Sequence, residues 1–249
     1  MAGHSKWANI RHRKGRQDAK RSKIWSKCSR AIIVAAKNGG GDPDANLTLR
    51  YAIDDAKSHN MPKDTIQKAI DKGAGGGDGD AYEEIVYEGY GPNGVAVMLE
   101  ILTDNRNRTA GEIRKLFEKA GGNLGASGSV AFVFNRRGII SLPLDAGSEE
   151  QMMDLAVEVG GDDIESDGET WTLTTDVDSY SGARAALTER GIEPLSAGLE
   201  MIPEQTVACT GSDAEKVMRF IDQLDDHDDI QKVHANFDIA EEELAAMEG

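Results

Sequence analysis

In the first third of the chain, apolar positions recur every three to four residues. From Ser22 onward, Ile24, Cys28, Ala31, Ile32 and Ala35 fall on one helical face. Lys37 suits the negative end of that helix, and Asn38-Gly39-Gly40-Gly41 stops it. Asp42-Pro43 reads as the N-cap and first residue of a second helix, with Leu49, Ala52, Ile53 and Ala56 as its buried stripe. A third helix opens at Asn60-Met61-Pro62, carries Ile66, Ala69 and Ile70 inward, and ends at Gly73. One apolar stripe on each of three short helices is enough for a small bundle over residues 23–73.

A Gly-rich stretch at 74–81 reads as a linker, and beyond it the period drops to two. Ile85 and Tyr87 alternate with polar neighbours, and Val95, Val97, Leu99 and Ile101 mark one face of a longer strand. Thr109–Ala120 reads as a helix with Ile113, Leu116 and Phe117 inward, and Val130, Phe132 and Phe134 as one face of a further strand. From Ile139 the order is strand, helix (148–159), strand (around Ile164), strand (Trp171–Leu173), helix (Ser181–Arg190), strand (Leu195–Ile202). That is the split βαβ, ferredoxin-like signature. A strand near Val207, a helix over Ser212–Leu224 and a strand at Val233–Phe237 close the chain. Alone they are half a domain; joined to the block before residue 135 they complete one. The pattern predicts an α+β fold, with an N-terminal three-helix bundle plus two ferredoxin-like α/β domains, the third inserted in the second. The boundaries are 82–134 with 204–240 for one domain and 135–203 for the insertion, between a basic mobile arm (1–22) and an acidic tail (241–249). A tandem arrangement with an incomplete last domain is the alternative.

Charge adds a direction to this layout. The first 37 residues hold eleven Lys and Arg against one acid, Asp18, a net of +10. The formal net charge of the chain is −16, so the remaining 212 residues carry −26. A positive arm on a negative body points to a polyanionic partner held at one end, and nucleic acid is the polyanion that Lys and Arg bind by releasing counterions. The candidate contacts are Lys6, Arg11, Arg13, Lys14, Arg16, Lys20, Arg21 and Lys23, extended along the first helix by Lys27 and Arg30. Trp7 and His12 are interleaved among them and can stack on bases or sugars. Arg106 and Arg108, flanked by Asn105 and Asn107, sit where a strand meets a helix, a place that can hold a phosphate; capping by Thr109 with an Asn turn is the competing reading.

Other classes lose support. Cys28 and Cys209 are too few and too far apart for a disulfide framework or a cysteine zinc site, which fits a reducing, cytoplasmic compartment. No stretch approaches the ~20 apolar residues of a membrane span, and the N-terminus lacks the apolar core of a signal peptide. The five histidines have no metal-ligand spacing. Asp222, Asp225, Asp226, Asp228 and Asp229 are dense but lack the EF-hand order. They read as a solvated helix end, with a metal-dependent nuclease as the remote alternative. The glycines at 73–79 lack the Walker spacing. Neither cofactor nor small-molecule substrate is implied.

Five blocks carry a family resemblance. Met1-Ala2-Gly3-His4-Ser5-Lys6-Trp7-Ala8-Asn9-Ile10-Arg11-His12-Arg13-Lys14 is similar to the start of YebC/TACO proteins. So are Gly39-Gly40-Gly41-Asp42-Pro43-Asp44, Tyr87-Glu88-Gly89-Tyr90-Gly91-Pro92, Thr103-Asp104-Asn105-Arg106-Asn107-Arg108-Thr109 and Gly121-Gly122-Asn123-Leu124-Gly125, in the family's order. The resemblance spans essentially the whole chain. It implies a helical bundle followed by two α/β domains, one inserted in the other, and a cytoplasmic, non-enzymatic protein of gene expression. Bacterial members have been labelled transcriptional regulators, and mitochondrial ones are translational activators. The family is also linked to ribosomes stalled on proline-rich stretches. On that basis the expected partner is ribosomal RNA, with DNA as the alternative.

Overall fold

A computed structural model describes residues 18–75, 82–240 and 243–244. The residues expected to form the arm up to residue 17, most of the linker and most of the acidic tail lie outside the described residues. The chain divides into two compact units, one of residues 1–75 with 136–201 and the other of residues 76–135 with 202–249.

The first unit opens with α1 (Asp18–Gly39), α2 (Leu47–Ser58) and α3 (Lys63–Ala74). α1 starts earlier than the apolar pattern alone marks, so Lys20 and Arg21 are helical rather than part of a loose arm. Lys, Arg and Ala are good helix formers, and extending a helix already nucleated is cheap. α3 likewise runs through Ala74, one residue into the expected linker. Cys28, Ile32, Ala35, Leu49, Ile53, Ile66 and Ile70 are buried together between the three helices.

The second helix does not start at Asp42. Asp42 closes a turn instead: its side chain accepts from Asp44 N–H at 2.9 Å and its carbonyl from Asn46 N–H at 2.9 Å. Asn46 is the N-cap. Its Oδ1 accepts from Leu49 N–H, while its Nδ2 donates to the carbonyls of Ala35 (2.8 Å) and Gly40 (2.9 Å). One buried amide thus satisfies the end of α1 and the start of α2 together.

α1 and α3 cross closely at Gly73. A Cβ there would meet the Ile33 carbonyl oxygen and lie 2.8 Å from Ala36 Cβ. Helix propensity alone favours Ala over Gly by about 1 kcal/mol. The crowding reverses the sign, so Gly73→Ala is expected to destabilise the bundle by about 1–3 kcal/mol, read as a lower urea midpoint. A raised midpoint would show that the crossing has slack.

The same unit holds β4 (Phe134–Pro143), α5 (Glu149–Val159), β5 (Asp163–Ser166), β6 (Thr170–Thr175), α6 (Val177–Glu189) and β7 (Ser196–Pro203). The strands before β4, namely β1 (Glu83–Tyr90), β2 (Ala96–Thr103) and β3 (Asn123–Leu124), belong to the other unit. The strand order is β5-β6-β4-β7, with β6 antiparallel to both neighbours, the ferredoxin-like layout. α5 is closed by a Ser148/Gln151 capping box and by Gly160 at φ 77°. Tyr51 of α2 packs against this domain's core, its ring edge-on to Tyr180 at 5.5 Å. Arg184 of α6 pairs with Asp54 of α2.

The second unit contains β1 (Glu83–Tyr90), β2 (Ala96–Thr103), α4 (Arg106–Lys119), β3 (Asn123–Leu124), β8 (Val207–Ala208), α7 (Gly211–Asp225), β9 (Ile230–Ala235) and β10 (Phe237–Asp238). β1 and β2 form an antiparallel hairpin at the centre of a sheet ordered β3-β1-β2-β9. Its two central strands are thus consecutive in sequence, unlike those of the inserted domain. Residues on both sides of the insertion build this one sheet, since β9 pairs with β2. Phe117 of α4 and Phe220 of α7 meet edge-to-face at 4.9 Å in its core. The chain is therefore α+β: a three-helix bundle and two α/β domains, the later one inserted into the earlier.

Candidate nucleic-acid interface

The basic candidates at Lys6, Trp7, Arg11, His12, Arg13, Lys14 and Arg16 lie outside the described residues. The others begin on α1. Lys20, Lys23, Lys27 and Arg30 occupy helical positions spaced 3, 4 and 3 apart, which places them along one side of the helix. The stripe runs beside the apolar face, as it must if that face is to bury Ile24, Cys28, Ile32 and Ala35. Lys23 is exposed, and Lys27 and Arg30 are half-buried. Trp25 donates its Nε1–H to the His59 carbonyl at 3.1 Å, tying α1 to the α2–α3 turn. That turn is four residues long and contains Asn60 at φ 55°.

Arg106 and Arg108 sit in the first turn of α4, not ahead of it. The cap is Asn105, whose side chain accepts from Arg108 N–H at 3.1 Å; Thr109 is not the cap. Arg108 Nη2 lies 2.8 Å from Asp229 Oδ2 and 2.9 Å from Asp104 Oδ1. Thr109 Oγ1 donates to the same Asp229 oxygen at 2.7 Å, and Thr103 Oγ1 lies 3.2 Å from it. Burial by itself would raise the Asp229 carboxyl, but Thr109 and Arg108 outweigh it and hold it below the ordinary range. Asp229 is therefore a buried clasp between α4 and the segment before β9, not part of a solvated acidic end. Its partners lie more than a hundred residues upstream, so spacing within the Asp-rich run could not reveal it. Arg108 is committed to carboxylates; Arg106 is exposed.

Glu112, His227 and Asp229 bring ligand-type atoms within 4.8 Å of one another. His227 Nδ1 accepts from Asp229 N–H at 3.2 Å, which leaves Nε2 to carry the proton towards Glu112 at 3.0 Å. A cation there would have to displace both that proton and the Arg108 guanidinium.

A second buried carboxylate escaped the sequence reading. Glu88 on β1 accepts from three backbone N–H groups, Gly128 (2.7 Å), Val130 (2.8 Å) and Ala131 (2.8 Å). These bonds hold residues 128–131 off the sheet. Val130, Phe132 and Phe134 therefore do not form one strand face. Ala131–Val133 is a 3-10 turn, Val130 and Phe134 point inward, and Phe132 is 74% exposed. Burial works to raise the Glu88 carboxyl, yet the three amides lower it below the usual Glu range. The folded chain then binds this proton less readily than the unfolded one. The stabilisation is complete above the unfolded pKa and lost as pH falls below about 4. Glu88→Gln is expected to flatten that acid limb in thermal melts between about pH 5 and 2. An unchanged pH profile would remove Glu88 from it.

The cysteines offer no reactive thiolate: burial pushes the Cys28 thiol up, reinforced by Asp55, and burial also raises Cys209. Among the described residues no helix is long and apolar enough to cross a membrane.

The described residues present a helical module with a basic stripe on α1, followed by two α/β domains. Comparison with known proteins gives its lineage. The TACO1/YebC N-terminal domain matches residues 5–76, and the TACO1/YebC second and third domain matches residues 82–237. The chain belongs to the TACO1/YebC family. Relatives named probable transcriptional regulatory proteins include those of Rubrobacter xylanophilus and Syntrophotalea carbinolica, each 52% identical over the whole of both chains. One from Dictyoglomus turgidum is 48% identical over 99% of this chain and all of the relative. The crystal structure of a conserved hypothetical protein, Aq1575 from Aquifex aeolicus, matches with a TM-score of 0.81 and 44% identity. It covers 90% of this chain and 93% of that one.

Proposed function

We propose that this protein is a regulator of gene expression that acts by binding nucleic acid through its N-terminal basic segment and the adjoining side of α1. The carrying observation is the basic stripe at Lys20, Lys23, Lys27 and Arg30, which lies within the +10 segment that opens an otherwise acidic chain. Phosphate contacts from such a stripe supply sequence-independent affinity. The protein then works by occupancy and placement, without chemistry of its own, in the cytoplasm. Arg106 is a secondary candidate contact, whereas Arg108 serves the Asp229 clasp.

Two targets fit this reading. The names of the relatives support DNA and transcription. The four-residue α2–α3 connection, of the length a helix-turn-helix uses, adds to that support. The exposed side of α3 mixes Lys63, Lys68 and Lys72 with Asp64 and Asp71, and Gln67 is bonded to Asp71 at 2.8 Å. It therefore offers no set of base-reading side chains, which supports the second reading, a ribosomal RNA target and a role in relieving stalled translation.

The discriminating experiment compares sedimentation of the full chain with ribosomes against its binding to duplex DNA in the presence of competitor RNA. Ribosome association that DNA does not compete away supports the RNA reading. Sequence-dependent duplex binding that survives RNA competitor supports the DNA reading. Binding to neither would remove the proposal.

A further inference from the structure

The loop that carries Phe132 is built to present it. Glu88 anchors the loop through three amides, Gly125 N–H donates to the Glu88 carbonyl at 2.7 Å, and Tyr90 Oη donates to the Ser129 carbonyl at 3.1 Å. Behind it, Glu204 N–H donates to the Val133 carbonyl at 2.9 Å. Burying a carboxylate is costly unless it is fully hydrogen-bonded, and here its bonds go to fixing a turn whose outward product is one phenyl ring. A ring held this way loses little conformational freedom when it is covered. None of the other exposed large hydrophobics, Leu47, Val86, Leu144, Met153, Val157 and Leu195, belongs to this loop. The residues leading up to Phe132 are Gly, Ala, Ser and Val. A single ring held out on a loop of small residues presents an open flat face. It is suited to stacking.

Charge points the same way. Residues 119–135 contain no Asp or Glu, in a chain with 44 of them, and hold Lys119. Two acids bonded to this segment are engaged: Glu88 under its three amides, and Glu204 accepting from Asn135 Nδ2 at 2.6 Å. The loop thus adds no carboxylate of its own to repel a phosphate backbone.

We infer that Phe132 is a stacking platform for an unpaired nucleobase, a second nucleic-acid contact distinct from the basic end. The inference rests on the nucleic-acid reading above and extends it to single strands, since a paired base has no free face to offer.

The test uses the full chain and three fluorescein-labelled probes: oligouridine, oligodeoxythymidine and a duplex of equal length, titrated at fixed salt. Phe132→Ala is expected to weaken single-strand binding by roughly fivefold to a hundredfold, leave duplex binding unchanged, and be rescued by Phe132→Trp. Loss on both single strands supports base stacking in general; loss on oligouridine alone also supports it and identifies RNA as the source. If the wild type binds and Phe132→Ala binds every probe equally well, the inference is overturned while the nucleic-acid reading stands. If the wild type binds no probe, both fall. Because Phe132 is exposed, its removal leaves the core intact, and an unchanged melting curve confirms that the comparison is between folded proteins.

Discussion

Replacing Arg11, Arg13 and Lys14 together by Glu is expected to lower affinity for nucleic acid by on the order of a hundredfold at physiological salt. The variant removes three phosphate contacts and adds three repulsions at the end of the chain that carries the charge. The salt dependence should change with it. Each phosphate contact contributes about 0.7–0.9 to the slope of log K against log salt, so three lost contacts flatten that slope by roughly 2–3. Affinity that falls without a change of slope would mean that the substitutions act by disturbing the bundle. Lys23→Glu and Lys27→Glu on α1 should act in the same direction, each more weakly. If the triple variant binds as the wild type does, the basic end is not the anchor.

Asp229→Ala is expected to be the most damaging single change in the α/β unit built around the β1–β2 hairpin. It takes a charged acceptor from the buried hydroxyls of Thr103 and Thr109, which keep only each other and the Asn105 backbone, and leaves the Arg108 guanidinium with Asp104 alone. Breaking a fully buried pair costs 3–5 kcal/mol, but Arg108 is part-exposed and water replaces some of what is lost. The expected loss is about 2–4 kcal/mol, visible in the urea midpoint. Arg108→Ala should cost less, because it leaves a carboxylate still held by Thr109. The ordering carries the argument. If Arg108→Ala also weakens nucleic-acid binding while Asp229→Ala does not, Arg108 has a role beyond the clasp.

What could be read in the sequence depended on how far each residue's partners lie along the chain. Ile24, Cys28, Ile32 and Ala35 mark their helix because a helix repeats within a few residues, and the strand period after residue 82 is equally local. The β-α-β-β-α-β order of the insertion followed from such local patterns placed in sequence. The misread features are those set from a distance. Asn46 caps α2 because it also binds the carbonyl of Ala35, eleven residues back. Phe132 turns outward because Glu88 captures the amides of Gly128, Val130 and Ala131 more than thirty residues downstream of itself. Asp229 is buried because Thr109 and Arg108 receive it from the far side of an entire inserted domain. An alternating pattern shows which residues are apolar, not which backbone amides a carboxylate elsewhere will claim. Of the candidate interface, the sign and position of the charge were legible at once. The helical register of Lys20 and Arg21 required the structure.

The central claim is that the basic end brings this protein to nucleic acid in the cell. The most direct measurement is crosslinking of the full chain in living cells, followed by sequencing of both the RNA and the DNA recovered, with the Arg11/Arg13/Lys14 charge-reversed variant alongside. The expected result is strong enrichment of one nucleic-acid class with the wild type, at defined positions, and its loss with the variant. Recovery of neither RNA nor DNA above background, or equal recovery with the variant, would contradict it.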